Sequence, residues 1–438
     1  VNAKVPIHMY EIEPDRLLLR ARGIATFRSV LRSEAGRSFL ALLELLAAER
    51  LNPTSIADLC TRLWGELAVA PEPLLEDPWQ SHLVERILEG EHLFSLAAEK
   101  GRLNPLLLEQ ARRDLRTLRT LFDLDAETLI RAVEVAAPET SGLWAPLSYT
   151  VRDASSRRVW AEKLAEAEDW GELVETLAEY YALHGAWPFG RCRAFRWEQG
   201  GLRGVVRPDP VCLEALIGYE KEREPLLKNT ERLLAGLPSH HALLYGLPGT
   251  GKSSTVKAIL NEYADRGLKL VELAKEDLKE LPVVLDALRD RGPRFILFVD
   301  DLSFEEHEVE YKSLKALLEG SVEEPPENVR LYATSNRRNL IRERFSERDE
   351  ADDVHARDTM QEKLSLAARF GLRVTFTAPD QRRYLEIVFG LVEERGLKIS
   401  GEELKERALL WDRWHAGRSG RTARQFVDEL EAELAGAR

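Results

Sequence analysis

The chain has 438 residues, a length that predicts roughly two or three domains and allows large cores without disulfide bonds. Its 62 basic and 75 acidic side chains give a net charge of −13, which argues against a protein that coats nucleic acid. We find no apolar run of about 18 residues, no signal-peptide pattern and only three scattered cysteines. These features predict a cytoplasmic protein without a membrane span, a disulfide framework or a cysteine metal site.

Residues 1–185 have the pattern of successive amphipathic helices. Leucines recur near helical spacing in two stretches, 40–46 and 103–122. No catalytic motif and no clean repeat period is visible in this half, so we expect an all-α N-terminal domain that binds an unidentified macromolecular partner. Residues 186–207 are rich in glycine, proline, arginine and aromatic residues, a composition that predicts a linker.

The remaining chain alternates short apolar runs with amphipathic helical stretches. This alternation is typical of βαβ units in a parallel sheet that is covered on both faces. We therefore predict an α/β domain over residues 208–378 with a five-stranded parallel sheet, and a helical lid over residues 379–438. The five apolar runs are residues 241–245, 268–273, 295–299, 329–333 and 372–376.

A glycine-rich loop follows the first apolar run. It matches the pattern GxxxxGK[ST] and lies between a strand and a helical stretch, as a phosphate-binding loop should. Glycines let backbone N–H groups approach phosphate oxygens, Lys252 would neutralise the β- and γ-phosphates, and the Ser253 hydroxyl would bind Mg²⁺. The sequence thus predicts a nucleotide site. Its expected contact residues are Gly246, Leu247, Pro248, Gly249, Thr250, Gly251, Lys252, Ser253 and Ser254.

Two further apolar runs end in polar residues. One ends at Asp300 and Asp301, and we expect this strand to be the neighbour of the loop strand. Asp300 would hold Mg²⁺ through its water shell, and Asp301 would orient or deprotonate the attacking water. The other ends in Thr334, Ser335 and Asn336. We expect the Asn336 amide to contact the γ-phosphate or the water, with Thr334 and Ser335 as alternatives.

These motifs in this order, followed by SLAARFG at 365–371 and RSGRTARQF at 418–426, resemble those of AAA+ ATPases. The similarity is closer to a family of predicted bacterial AAA+ ATPases whose function is unassigned. It extends over about residues 207–430 and does not reach the N-terminal half. The segments that carry it are DDLSFE at 300–305, YATSNRR at 332–338 and RSGR at 418–421.

The resemblance implies an AAA+ P-loop enzyme that binds ATP and Mg²⁺, hydrolyses ATP and assembles into a homo-oligomeric ring. The segment Ile217-Gly218-Tyr219 resembles the one before the phosphate loop that packs on adenine, and Gly218 is its expected contact residue. Arg369 resembles an arginine finger that enters a neighbouring subunit's site, and Arg421 or Arg424 resembles the lid's sensor arginine. A guanidinium aimed at the transferred phosphoryl group is worth roughly 10³- to 10⁵-fold in rate. The implied function is remodelling or loading of a macromolecular partner, with nucleic acid among the candidates.

One departure from the AAA+ pattern leaves the catalytic base open. AAA+ motors usually end the second motif with Asp-Glu, whereas here the second acid is the shorter Asp301, and Glu305 is near enough to be an alternative base. A misplacement of about 1 Å can cost roughly 10²-fold in rate. A slow ATP-binding switch or scaffold is therefore the first alternative function, and a P-loop phosphotransferase is the second.

Overall fold

The computed structural model describes residues 13–48, 50–69, 72–151, 156–303, 311–319, 325–336, 366–415 and 417–436. The chain divides into two compact units. The first unit comprises residues 1–191 and 291–293, and the second comprises residues 192–290 and 294–438. The labelled elements of the first unit are helical, whereas the second unit contains the sheet.

Polar caps begin many helices of the first unit. Asn52, Asp77, Asn104 and Asp125 each accept hydrogen bonds from backbone N–H groups in the first turn of the helix that follows. The apolar faces of these helices pack into one continuous core. The helices are α1 (Pro14–Arg22), α2 (Glu34–Leu46), α3 (Pro53–Ala68), α4 (Pro78–Glu89), α5 (Leu93–Glu99), α6 (Pro105–Phe122), α7 (Ala126–Ala136), α8 (Ser156–Glu166) and α9 (Val174–His184), with 3-10 turns at Arg28–Arg32, Pro138–Thr140 and Trp170–Leu173.

In the described part of the second unit, seven strands form one sheet in the order β2-β1-β4-β5-β6-β3-β7. All neighbouring pairs are parallel except β1 and β2, which are antiparallel. The central strands are buried apolar runs, as expected for a parallel sheet that is covered on both faces. The strands are β1 (Ala194–Glu198), β2 (Gly201–Gly204), β3 (Ala242–Gly246), β4 (Leu268–Glu272), β5 (Arg294–Val299), β6 (Val329–Ser335) and β7 (Leu372–Phe376).

Helices cover this sheet and continue into the lid. The last three follow β7 and pack on one another around the apolar core of the second unit. No helix in the described ranges is both long and apolar enough to cross a bilayer. The helices are α10 (Glu220–Leu234), α11 (Lys252–Tyr263), α12 (Leu281–Leu288), α13 (Tyr311–Glu319), α14 (Gln381–Glu394), α15 (Gly401–Trp414) and α16 (Gly420–Gly436), with 3-10 turns at Ala264–Arg266 and Lys275–Glu280.

The predicted fold class, an α/β P-loop domain with a helical lid after an all-α region, is confirmed, but the predicted strand number is wrong. The five predicted strands form one continuous block, and β1 and β2 extend it at one edge. Both added strands lie in the segment predicted as a linker. Gln199 and Gly200 form the two-residue turn between them with φ of 54° and 76°. A turn with two positive φ values usually carries Asn-Gly or Asp-Gly, so Gln-Gly gave no hairpin signal.

The expectation that the acid strand is the neighbour of the loop strand is also wrong. The loop strand β3 pairs with β6 and β7, whereas β5, which precedes Asp300, pairs with β4 and β6. The reason is topological, because β6 comes later in the chain and inserts between the other two strands. The end of β6 therefore lies between the phosphate loop and the two acids.

Candidate nucleotide-binding site

The phosphate loop connects the end of β3 to the start of α11. At Gly246 a Cβ atom would lie 1.9 Å from the carbonyl oxygen of Phe376 on β7, so only glycine fits. Gly249 and Gly251 have left-handed φ values of 77° and 87°. Because α11 begins at Lys252, the N–H groups of its first turn have no partner within the helix and carry the positive end of the helix dipole. The loop is built to bind an anion.

The Lys252 side chain lies across the strand ends and is only 5% exposed. Its Nζ donates hydrogen bonds to two loop carbonyl oxygens at 2.9 Å and to Asn336 Oδ1 at 3.0 Å. Burial lowers the pKa of this ammonium group, and the carboxylates of Asp300 and Asp301 act in the opposite direction. An anion beside Nζ would favour the charged form further. Phosphate oxygens are ligands that suit this group.

Two aspartates follow β5 and share one partner on β6. Asp300 Oδ1 accepts the Ser253 hydroxyl at 2.6 Å and also the Thr334 hydroxyl. The Asp301 backbone N–H donates to Thr334 Oγ1 at 2.9 Å. Asp301 has a left-handed φ of 50°, a conformation that aspartate adopts more often than most residues with a Cβ. Thr334 thus contacts both aspartates, one through its carboxylate and the other through its backbone N–H.

Asn336 follows β6 and joins the two sides of the site. Its Oδ1 accepts the hydrogen bond from Lys252 Nζ, and its Nδ2 donates to Asp301 Oδ1 at 2.7 Å. These two partners assign the amide orientation, since an ammonium group only donates and an ionised carboxylate only accepts. The position of β6 between β3 and β5 makes this bridge possible. One amide links the phosphate-loop lysine to the candidate base.

The lid contacts the phosphate loop directly. The Arg421 backbone N–H donates to the Gly249 carbonyl oxygen at 3.2 Å, and a Cβ at Gly249 would lie 3.0 Å from Ser419 Oγ. α16 begins one residue before Arg421, so the first turn of this helix lies on the loop. Arg421 and Arg424 both line the cavity beneath.

Loop, strand ends and lid enclose a cavity of about 630 Å³. Most of the site residues predicted from the sequence line it. They are Pro248, Gly249, Thr250, Gly251, Lys252, Ser253, Ser254, Asp300, Asp301, Asn336, Arg421 and Arg424, and the alternative sensor Thr334 joins them.

Other predicted residues lie elsewhere. Gly246 and Leu247 are not among the lining residues and contribute carbonyl oxygens to Lys252. Gly218 is outside the lining, but its two chain neighbours belong to it. Arg369, in the turn before β7, is not among the lining residues. Glu305, the alternative base, lies outside the described residues, so the choice of base stays open.

Sequence reasoning named Ile217 and Tyr219 beside Gly218, but it missed the rest of the apolar wall of the cavity and the far end of the lid helix. Tyr219 packs on Phe376 with ring centroids 5.6 Å apart, and the centroid of its ring lies 4.9 Å from the guanidinium carbon of Arg383. The apolar lid residues follow the pattern of any core helix, so no signal in the sequence separates them. Gln425 and Asp428 could have been found, because they are four and seven residues after Arg421 on the same helix. The missed lining residues include Ala215, Leu216, Ile387, Leu391, Gln425 and Asp428.

The oxygen groups at the loop fit a nucleotide-bound Mg²⁺. Ser253 Oγ and Asp300 Oδ1 lie 2.6 Å apart and supply a hydroxyl and a carboxylate. Throughout the described ranges no group of three or more His, Cys, Asp or Glu side chains could hold a metal by itself. Mg²⁺ commonly binds one or two carboxylates together with waters and substrate phosphates. A site of this kind needs the nucleotide to complete it.

Comparison with solved and characterised proteins gives partial similarities. The replication factor C large subunit of Ignicoccus hospitalis is 35% identical over 77 residues, 17% of this chain and 16% of that protein. The Thermotoga maritima RuvB Holliday junction branch migration motor aligns with a TM-score of 0.37 and 18% identity, over 52% of this chain and 66% of that chain. A RuvB point mutant gives 0.38 and 17%, over 52% and 67%. At these levels the likeness does not bear on activity.

The family comparison covers more of the chain. A family model described as protein of unknown function (DUF815) matches residues 190–434, more than half of the chain, with the whole sheet and all but the last residues of the lid. This match confirms the resemblance to a family of unassigned function. The chain therefore belongs to the DUF815 family.

Proposed function

We propose that this protein binds Mg-ATP in the cavity between the phosphate loop and the lid and hydrolyses it to ADP and phosphate. The observation that carries the proposal is the Asn336 bridge, which joins Lys252 to Asp301 through one amide. A cation for the phosphates and a carboxylate for the water are thereby held in a fixed relation. Phosphoryl transfer depends mainly on such positioning and on electrostatic stabilisation.

Each part of the site has a distinct task in this proposal. The loop N–H groups and Lys252 bind the phosphates, and Asp301 orients the attacking water or accepts its proton. Bound Mg²⁺, held through Ser253 and Asp300, would neutralise phosphate charge. Asn336 and the guanidinium of Arg421 or Arg424 stabilise the negative charge that grows on the γ-phosphoryl group.

The first test is phosphate release by Asp301→Asn compared with wild type. We expect a loss in kcat of about 10²-fold or more, because the amide cannot accept a proton, while ADP binding is retained. Asp290→Asn is the matched control, because Asp290 also has a left-handed φ, of 58°, and is not a lining residue. Normal hydrolysis by Asp301→Asn would exclude Asp301 as the base. If wild type binds ADP but does not hydrolyse ATP, the result would favour the alternative function, a slow ATP-binding switch. The short Asp301 side chain also points to that alternative.

We propose further that Arg369 completes the site of a neighbouring subunit in a homo-oligomer, and that the helical region 1–185 binds the partner on which the assembly acts. Arg369 is outside the cavity lining of its own chain, as an arginine supplied in trans would be. Turnover per chain should then rise with protein concentration in wild type. Arg369→Ala should lose this rise, whereas the control Arg373→Ala, at an exposed position on β7, should keep it. Flat turnover that is indifferent to Arg369 would contradict the proposal.

A further inference from the structure

We propose that Asp428 recognises the nucleoside end of the nucleotide by accepting a hydrogen bond from a ribose hydroxyl or from the exocyclic amine of the base. This inference rests on the proposed function, because it concerns the same cavity. It adds a determinant of nucleotide specificity on the lid, about two helical turns from Arg421 and one from Arg424.

One face of α16 lines the cavity along two turns of the helix. At 1.5 Å per residue, Asp428 lies about 10 Å further along the helix axis than Arg421. The intervening residues Ala423, Phe426 and Val427 are buried in the core of the second unit, which fixes the rotation of the helix. The residues on the cavity face follow the spacing i, i+3, i+4 and i+7 and are Arg421, Arg424, Gln425 and Asp428.

The charges along this face follow the order of groups in a nucleotide. The Arg421 end is held at the phosphate loop by the hydrogen bond from its backbone N–H to Gly249, and Arg424 lines the same cavity one turn further along the helix. A carboxylate at that end would repel phosphates. Asp428 is instead at the opposite end of the lining face, where charge repulsion is weakest. An acid there is compatible with a nucleotide whose phosphates lie on the loop.

The neighbours of Asp428 place it at the apolar end of the cavity. Asp428 Oδ1 accepts a hydrogen bond at 2.6 Å from Arg395, the residue that follows α14. Leu391, one turn earlier on α14, is buried and lines the cavity, as does Ile387 one turn before it. Apolar walls of this kind suit a base, while a few placed polar groups set its identity.

The chemistry of a carboxylate limits what it can recognise. An ionised carboxylate only accepts hydrogen bonds and offers about four lone-pair directions, so its ligand must be a donor. Arg395 is shared, since it also donates to Glu431 at 2.8 Å, and one guanidinium between two carboxylates leaves a net negative charge. The Asp428 side chain remains 57% exposed and can accept a second donor. A nucleoside supplies such donors as ribose hydroxyls and exocyclic amines.

A purely structural role for Asp428 makes a different prediction. Asp428 could serve only to hold Arg395 and so stabilise the lid. Glu431 provides the matched control, because it contacts the same guanidinium and is not among the lining residues. If Asp428 acted only by holding Arg395, replacing Asp428 and replacing Glu431 would change nucleotide affinity to the same extent.

The experiment is calorimetric titration of the full-length chain with ADP, 2′-deoxy-ADP, 3′-deoxy-ADP and inosine diphosphate, which lacks the exocyclic amine. Wild type should bind ADP about fivefold to tenfold more tightly than at least one analogue, and that analogue identifies the donor. Asp428→Ala, which removes both acceptor oxygens, should bind ADP and the same analogue within about twofold of each other. Glu431→Ala should keep the wild-type preference.

Two results would overturn the inference and leave the proposed function intact. One is equal affinity of wild type for ADP and all three analogues. The other is loss of the preference in Glu431→Ala to the same extent as in Asp428→Ala, which would assign the effect to Arg395. Absence of any ADP binding by wild type would instead refute the proposed function itself, and the inference with it.

Discussion

Two aspartates, one in each unit, contrast a structural carboxylate with one that we propose to bind Mg²⁺. Asp114 on α6 is 2% exposed, and its Oδ2 accepts backbone N–H groups of residues 25–27 at distances from 2.6 to 3.3 Å. Asp300 follows β5, is exposed, and accepts side-chain hydroxyl groups from Ser253 and Thr334. Backbone donors cannot leave Asp114 without local unfolding, whereas hydroxyl groups rotate. The Asp300 carboxylate can therefore exchange its present donors for a new partner, whereas the Asp114 carboxylate cannot.

The largest expected effect is the loss of ATP turnover when the exposed Asp300 is replaced. Asp300→Ala should lower ATP turnover by about 10³-fold, because the groups that hold Mg²⁺ lose their carboxylate. Raising the Mg²⁺ concentration should restore part of the activity. Hydrogen exchange of the amides at 25–27 should not change, which separates this variant from a general loss of structure. Wild-type turnover in Asp300→Ala would remove Asp300 from the site.

At the buried Asp114 we expect the opposite result, a change in hydrogen exchange without a change in ADP affinity. Asp114→Ala leaves three backbone N–H groups without their acceptor, at a local cost of about 3 kcal/mol. Hydrogen exchange at residues 25–27 should accelerate by about 10²-fold, while ADP affinity remains at the wild-type value. Asp114→Asn keeps one acceptor oxygen and should show a smaller change. Unaltered exchange in Asp114→Ala would contradict the structural role.

A smaller effect is expected from a buried histidine in the first unit. Burial, with Arg86 acting in the same direction, lowers the pKa of His92 to about 4, so the unfolded chain binds the additional proton between about pH 6.5 and pH 4. The proton that His92 binds in the unfolded chain therefore lowers the free energy of unfolding as the pH falls from about 6.5 to about 4. Glu89 acts oppositely, because burial raises its pKa to about 7 and the folded state keeps the proton. Because Glu89 is present in both wild type and His92→Gln, its contribution cancels when the two proteins are compared.

The comparison with His92→Gln therefore isolates the histidine. At pH 7 wild type should be the more stable protein, because His92 Nε2 lies 3.0 Å from the Ile87 carbonyl oxygen and the ring fills a buried space. This advantage should shrink by about 1 to 3 kcal/mol between pH 7 and pH 4.5. Thermal unfolding midpoints at both pH values measure it. An advantage that does not depend on pH would show that His92 titrates normally.

The parts of the site that could be predicted from the sequence are those whose chemistry requires particular residues at short spacing. Lys252 and Ser253 belong to a loop that few sequences match by chance, and Asp300, Asp301 and Asn336 each follow an apolar strand. The structure brings these residues together around one cavity. Their assigned roles remain predictions.

The parts that could not be predicted depend on long-range packing. The insertion of β6 between β3 and β5 leaves no mark in either strand, and it creates the Asn336 bridge. The β1–β2 hairpin was missed because Gln199 occupies a turn position where asparagine or aspartate is usual. Leu391 has the spacing of any core leucine, so only the fold reveals that it lines the cavity.

The most direct test of the account is ADP binding by wild type, Lys252→Ala and the control Lys257→Ala, measured by calorimetry on the full-length chain. Lys257 is on the same helix, is 41% exposed and pairs with Asp209 outside the cavity lining. The account predicts one ADP per chain, with affinity lowered about 10- to 100-fold by Lys252→Ala and unchanged by Lys257→Ala. Wild-type affinity in Lys252→Ala would show that the phosphates do not lie on this loop, and the central claim would be wrong.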